Sequence, residues 1–329
     1  MPHAWMIRSG RGSAHVDDFV SKGVAAIGWS ELGELAGNDR DGFMTRVQAA
    51  YPGKHRSAVA NDATVLHRFV QEMQEGDAVV TYDSERRLYH LGTIAGPYRH
   101  QPELIPGLPQ TRRVTWSRTV NRDDLRRATR NSLSSTLSLF RLSPEVLADL
   151  QGDRSASFPT VELDEEVIAT EDTIDDTAER SLELIKDQVT ELDEDEMEEL
   201  MAGVLRAMGY KAQVSPTGPD RGVDVTASPD GLGLEQPRIK AEVKHRPKTP
   251  MGAQEIRNFI ATLRLGDSGL FLSTGGFTRE ARYEAERATL PVSLISLDDL
   301  VRLITEHYHR FDAKARILIP LEQVWWPAR

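Results

Sequence analysis

The chain has 329 residues, no cysteine, and 51 acidic against 40 basic side chains, for a formal net charge of -11. This length suggests two domains, and the absence of cysteine excludes disulfides and thiolate metal sites. No apolar run is long enough to span a bilayer and no basic-then-apolar leader opens the chain, so a cytoplasmic protein without membrane contact is expected. In chain order, Trp5–Arg8 reads as a strand, Val16–Lys22 as a helix and Val24–Trp29 as a strand. A helix over Ala63–Met73 precedes strands at Ala78–Tyr82 and Leu88–Ile94, joined by the polar turn Asp83–Arg87, and a further strand falls at Arg113–Trp116. Short strands with glycine punctuation predict a small, curved β-barrel with flanking helices over residues 1–150.

Residues 151–192 read as an acidic helical linker. From Val161 to Glu199 the only cations are Arg180 and Lys186, and Leu182, Ile185 and Val189 recur at helical spacing. Residues 193–329 read as a second domain. Its elements are a helix over Asp195–Met208, strands at Lys211–Val214, Gly222–Ala227 and Arg238–Lys244, and a helix over Met251–Leu265. A buried strand at Ser268–Thr274, a helix over Thr278–Arg287, a strand at Val292–Ser296 and a helix over Leu297–His307 complete it. Strands that alternate with helices predict an α/β sheet packed on both faces.

The chemistry concentrates in two adjacent strands. Successive strand residues point to opposite faces, so Glu242 and Lys244 project together, and a paired strand carrying Asp224 brings a second carboxylate beside them. Two carboxylates, with help from the Val243 carbonyl, form a hard oxygen donor set suited to Mg²⁺, and a lysine can orient a water or offset phosphate charge. An aggregation-blocking edge strand is the plainer reading of Lys240-Ala-Glu-Val-Lys244, but it leaves Asp224 in its apolar strand unexplained. Glu198, on the first helix of this domain, offers another carboxylate. Arg246 and Lys248, beside the motif, and Arg112 and Arg113, in an arginine-rich stretch, are candidate phosphate contacts despite the acidic total charge.

The order Met197-Glu-Glu-Leu, Ala-Met-Gly-Tyr210, Asp220-Arg-Gly-Val-Asp-Val, Ala241-Glu-Val-Lys and Thr274-Gly-Gly-Phe-Thr resembles the Mrr-type restriction endonuclease catalytic domain of the PD-(D/E)XK superfamily. The resemblance implies a mixed sheet and metal-dependent endodeoxyribonuclease activity, with Mg²⁺ replaceable by Mn²⁺. Asp224, Glu242 and Lys244 match its core motif, Glu198 the helix glutamate, and Gln254 a position where the family tends to carry glutamine. Where Glu242 stands, Mrr-type domains often carry Gln.

In the N-terminal domain, Trp5-Met-Ile-Arg, Gly28-Trp29, Gly76-Asp-Ala-Val-Val-Thr-Tyr82, Gly92-Thr-Ile-Ala-Gly and Val114-Thr-Trp116 resemble the EVE/PUA-like fold. That resemblance implies a reader that flips a modified base into an aromatic pocket, for which Trp29, Tyr82 and Trp116 are the candidates. Together the two resemblances imply a modification-dependent restriction endonuclease acting on double-stranded DNA as a homodimer. The rivals are a defence nuclease whose N-terminal domain senses a nucleotide signal or a protein, and a non-catalytic DNA-binding adaptor.

Overall fold

The structure, a computed structural model, describes residues 3–135, 137–153, 174–215 and 222–324. Residues 154–173 of the acidic linker, the motif residues Asp220 and Arg221, and the tail tryptophans Trp325 and Trp326 lie outside the described residues. The chain divides into two compact units, Met1–Arg180 and Ser181–Arg329. None of its described helices is long and apolar enough to cross a membrane.

The first unit contains β1 (Ala4–Ile7), α1 (Val16–Lys22), β2 (Val24–Ile27), α2 (Arg40–Ala50), α3 (Arg56–His67) and β3 (Ala78–Asp83). β4 (Leu88–His100), β5 (Gln110–Asn121), α4 (Arg127–Leu133), β6 (Leu139–Arg141) and α5 (Pro144–Leu150) follow. α1 stops at Gly23, whose φ of 63° gives the left-handed cap that closes many helices. Ser143 caps α5 by accepting the Val146 N–H, with Pro144 in the first turn, where its missing N–H costs nothing.

These strands form one six-stranded sheet in the order β2-β5-β4-β3-β1-β6, in which β1 and β3 run parallel and the other pairs antiparallel. One face carries Trp5, Ile7, Val79 and Ile94 and packs on Phe19, Phe43, Leu66 and Phe69. The other carries Met6, Val80 and Tyr89 and packs on Leu125, Leu133, Val146 and Leu150. Among the described residues no pairing joins β2 to β6. The expected barrel is therefore replaced by an open strand order with helices on both faces, bent by irregularities in β4–β5 at Leu91/Gly92 and Ile94/Tyr98.

The second unit begins inside α6 (Ile174–Thr190) and continues through α7 (Glu194–Ala207), β7 (Lys211–Val214), β8 (Val225–Ser228) and β9 (Arg238–Lys244). Then come α8 (Ala253–Ile260), β10 (Asp267–Ser273), α9 (Arg279–Glu286), β11 (Val292–Ser296), α10 (Leu297–His307) and α11 (Ala313–Leu318). α7 starts from a capping box in which Asp193 and Glu196 each bind the other's backbone N–H. The mixed sheet has the order β11-β10-β9-β8-β7, parallel across β9, β10 and β11 and antiparallel across β7, β8 and β9.

Met197, Leu200, Met201 and Val204 of α7 and Leu300, Val301 and Ile304 of α10 pack with Val225, Ala241 and Val243 on one sheet face. Ile256 and Phe259 of α8 and Ala281 of α9 cover Phe271 on the other. Ile185 and Val189 of α6 are buried in the first of these cores, so the segment expected as linker helix is integral to this unit from Ser181 onward. α8 starts later than expected because Met251 leaves the helical path to bridge Phe277, and it ends at Ile260, before the expected Leu265.

Candidate active site

β8 begins at Val225, one residue after Asp224, and Val225 stands opposite Ala241 of β9. Continuing that antiparallel register by one residue puts Asp224 opposite Glu242. The Asp224 N–H donates to the Ala241 carbonyl at 2.8 Å. Its carboxylate Oδ2 accepts the Val243 N–H at 2.7 Å. One carboxylate oxygen is thus fixed by the backbone and the other is left for a further partner. On β9 the Lys244 Nζ lies 2.9 Å from Glu242 Oε1. Gly222 approaches the same carboxylate: its φ is +65°, and a Cβ placed there would lie 3.4 Å from Glu242 Oε2.

The electrostatics bind this group to Glu198 on α7. Burial, reinforced by the Asp224, Asp195 and Glu194 charges and only partly opposed by Lys244, pushes the Glu198 carboxyl up to about 7. Burial also raises Glu242, against the opposing hydrogen bond and charge of Lys244 and with a further push from Asp224. Two carboxyls pushed up by burial and by the Asp224 charge form a site in want of a cation. Among the described residues no three His, Cys, Asp or Glu side chains converge closely enough to hold a metal by themselves. A metal held here would therefore rest on Asp224, Glu242 and the Val243 carbonyl, with water completing its shell.

Two further candidates stand apart. Gln254 is exposed on α8, where its amide donates to Asn258 and its carbonyl oxygen accepts from Arg257. Arg246 and Lys248 are exposed immediately after β9. The residues around the Gly275-Gly276 turn are tied into the fold. The Thr274 N–H donates to the Lys244 carbonyl, Thr278 N–H to Met251, and Thr278 caps α9 through Ala281 N–H. Sequence reasoning missed Ser273. It stands opposite Lys244 in the β9–β10 register and is fully buried, with no hydrogen-bond partner for its hydroxyl. Strand alternation alone does not mark it, because the parallel pairing with β9 must be known first.

The first unit corrects two expectations. Arg112 is buried and is not available to a phosphate. Its guanidinium donates to the Phe69 and Val70 carbonyls at 2.6 and 2.9 Å, and burial lowers its pKa to about 10. It caps the widened last turn after α3, whose carbonyls have no further helical turn to pair with. Arg113, pointing to the opposite side of β5, is exposed.

The three candidate cage aromatics do not form one cage. Tyr82 shares the Val80 face and stacks on Tyr89 with ring centroids 4.6 Å apart. Trp116 shares the opposite face with Val114, where its Nε1–H donates to the Phe19 carbonyl at 2.8 Å, and Trp29 packs against that same core. Trp29 is half-buried and holds a left-handed backbone, φ 61° and ψ 52°, an uncommon conformation for a bulky side chain.

Comparison with known proteins assigns the second unit. The "Restriction endonuclease" family, the Mrr catalytic domain, matches residues 189–304, and a domain of unknown function, DUF8426, matches residues 5–143. None of the curated proteins compared with the chain matches it. Two solved structures resemble it, each at 14% identity. One is the MspJI restriction endonuclease in complex with a 27-mer oligonucleotide, with a TM-score of 0.32, covering 95% of this chain and 79% of that one. The other is the DNA modification-dependent restriction endonuclease AspBHI, with a TM-score of 0.34, covering 90% and 78%. Likenesses this remote carry no argument about the present chain. The family match, which runs from α7 through β11 and into α10, does: the C-terminal unit carries a restriction endonuclease domain of the Mrr type.

Proposed function

We propose that the chain is a modification-dependent restriction endonuclease, in which the C-terminal unit hydrolyses phosphodiester bonds of double-stranded DNA and the N-terminal unit selects modified DNA. The observation that carries this reading is the Asp224 carboxylate held opposite the Glu242–Lys244 pair inside a restriction endonuclease domain. The donor set fits Mg²⁺, or Mn²⁺ in its place. Asp224 retains one oxygen beyond its backbone hydrogen bond, and the push of its charge on Glu242 and on Glu198 is relieved by a cation. Asp224, Glu242 and the Val243 carbonyl would hold the ion. When bound, such an ion supplies an acidified water and offsets charge on the phosphate.

The chain's own residues do the remaining work. The Lys244 ammonium, fixed by Glu242, is placed to donate to a non-bridging phosphate oxygen. Glu198, with its pKa near neutrality, is matched to taking a proton from the attacking water. The Val243 N–H holds Asp224 in one orientation throughout. Cutting both strands takes two such sites, which a homodimer provides. In the N-terminal unit, Trp29 and Trp116, which pack against the same core, are the aromatics left to a base-binding role.

Glu242→Ala should reduce DNA cleavage at least a thousandfold in Mg²⁺ while leaving duplex binding within a few-fold of wild type, and EDTA should silence the wild-type protein. A Glu242→Ala protein that cuts as well as wild type would overturn the site.

A further inference from the structure

The sheet face that bears the candidate catalytic group continues beyond it. On β9 the odd-numbered Ile239, Ala241 and Val243 are in the core, so Arg238, Lys240, Glu242 and Lys244 share the opposite face. On β7 and β8 the burial of Ala212, Val225 and Ala227 leaves Lys211 and Thr226 on that same face. A cavity of about 320 Å³ opens over these strands, lined by Lys211, Arg238, Lys240 and Arg264. Asp267 is the one carboxylate in its lining. Buried, it holds Lys240 at 2.8 Å and Arg238 at 3.1 Å, and it accepts the Arg264 N–H. Lys211 and Arg264 stay exposed. Asp267 offsets Lys240 and Arg238, and the loop that walls the groove adds Asp230 and Glu235, so the outward positive charge of the groove rests on Lys211 and Arg264.

One wall of the groove is the loop between β8 and β9. The Asp230 carboxylate accepts the N–H groups of Leu232, Gly233, Leu234 and Glu235 at 3.0–3.3 Å, and the Ser228 hydroxyl joins the same knot at 2.7 Å. Gly231, at φ +76°, lies so close to Lys211 that an added Cβ would come within 2.9 Å of that side chain. This wiring holds the loop in one shape, and the shape presents Leu232 and Leu234 to solvent, 78% and 82% exposed. Two leucines fixed outward beside a cationic groove match a duplex, whose phosphates take the cations and whose sugars and groove walls take apolar contact.

We propose that this groove and its loop are a DNA-backbone docking surface. Lys211 and Arg264 neutralise phosphates of the strand that leads to Glu242 and Lys244, and Leu232 and Leu234 pack against the duplex. Residues two apart on a strand are separated by about 7 Å, so Lys240 stands one such step from Glu242 and the track runs directly into the candidate site. The inference rests on the nuclease reading above.

The test uses the full-length protein and a duplex carrying modified cytosines, the substrate of the proposed function. Lys211→Glu combined with Arg264→Glu should raise the KM for cleavage tenfold or more and leave kcat at saturating DNA within twofold. It should also lower the slope of log affinity against log salt by about two, at roughly 0.9 for each phosphate no longer neutralised. Leu232→Ser with Leu234→Ser should weaken binding about fivefold with no change in salt slope and no change in sedimentation. Unchanged KM and slope in the charge-reversed protein would overturn the groove. If the leucine variant changed oligomeric state and kept its DNA affinity, the loop would belong to a contact with a second copy instead. A wild-type protein that neither binds nor cuts any duplex would overturn the nuclease reading itself, a result distinct from intact cutting by the groove variants.

Discussion

Glu198 is the residue at which the electrostatics of the site can be read directly. Its carboxyl is held up to about 7, first by burial and then by Asp224 and its own helix neighbours Asp195 and Glu194. The folded protein therefore favours the protonated form. The stability linked to Glu198 is fully present below the unfolded value near 4.3 and is lost as pH rises through about 7. In EDTA, Glu198→Gln should melt with the wild type near pH 4 and above it at pH 8; a gain of equal size at both pH values would show that repulsion within the acidic group is not the cause. Ser273 offers a second residue-scale test. Its buried hydroxyl has no partner beside Lys244, and an unsatisfied buried hydroxyl costs about 1–3 kcal/mol. Ser273→Ala should therefore leave stability unchanged or raise it in urea titration. Cleavage should nonetheless fall about tenfold if the hydroxyl serves the water or phosphate next to Lys244, whereas unchanged kcat would assign Ser273 to packing alone.

The elements explain how such residues are brought together, and why some were legible in the sequence. Residues Arg238–Lys244 alternate apolar and charged, and this period of two, observed in β9, was enough to put Glu242 and Lys244 on one face. The helical period of α7, with Met197, Leu200, Met201 and Val204 buried, was equally readable. α2 was not, because only Phe43 and Val47 of its residues are fully buried and they alone make too short an apolar stripe. β6 is three residues long and is specified by pairing with β1, far away in sequence. The burial of Arg112 did have a signal, since it shares strand parity with Val114, an apolar residue that is also buried, while Arg113 does not. The Gly275-Gly276 turn needed the structure, because the contact that explains it is long-range. A Cβ on Gly275 would lie 2.3 Å from the carbonyl oxygens of Arg246 and Thr249, so the loop after β9 is clamped against the turn after β10. Gly275→Ala should destabilise the protein by about 3 kcal/mol, as overpacking a closed contact does. A urea midpoint equal to wild type would show that the clamp yields freely.

At the scale of the whole molecule, the chain separates into two compact units with independent cores, and chemistry and selection need not share residues. The candidate hydrolytic group consists of backbone-fixed carboxylates and a lysine, which read no base and would cut any accessible duplex. On the proposed function, selectivity comes from the other unit, in which Trp29 is the aromatic that holds a left-handed backbone. A bulky side chain kept half-buried on a left-handed backbone is a local cost that glycine would not incur, and such costs persist where a site requires them. Trp29→Gly should lower the thermal midpoint modestly, since relief of about 1–2 kcal/mol of backbone strain only partly offsets the packing lost with a half-buried indole. It should also bring kcat/KM on DNA carrying modified cytosines down toward the value on the same unmodified DNA, with cutting of the unmodified DNA little changed. Tyr82→Phe, on the opposite sheet face, should leave that ratio as it is. Retained discrimination in Trp29→Gly, or its loss in Tyr82→Phe, would place the reading surface on the other face of the sheet. A wild-type protein that cuts modified and unmodified DNA equally would remove the selective role from this unit altogether.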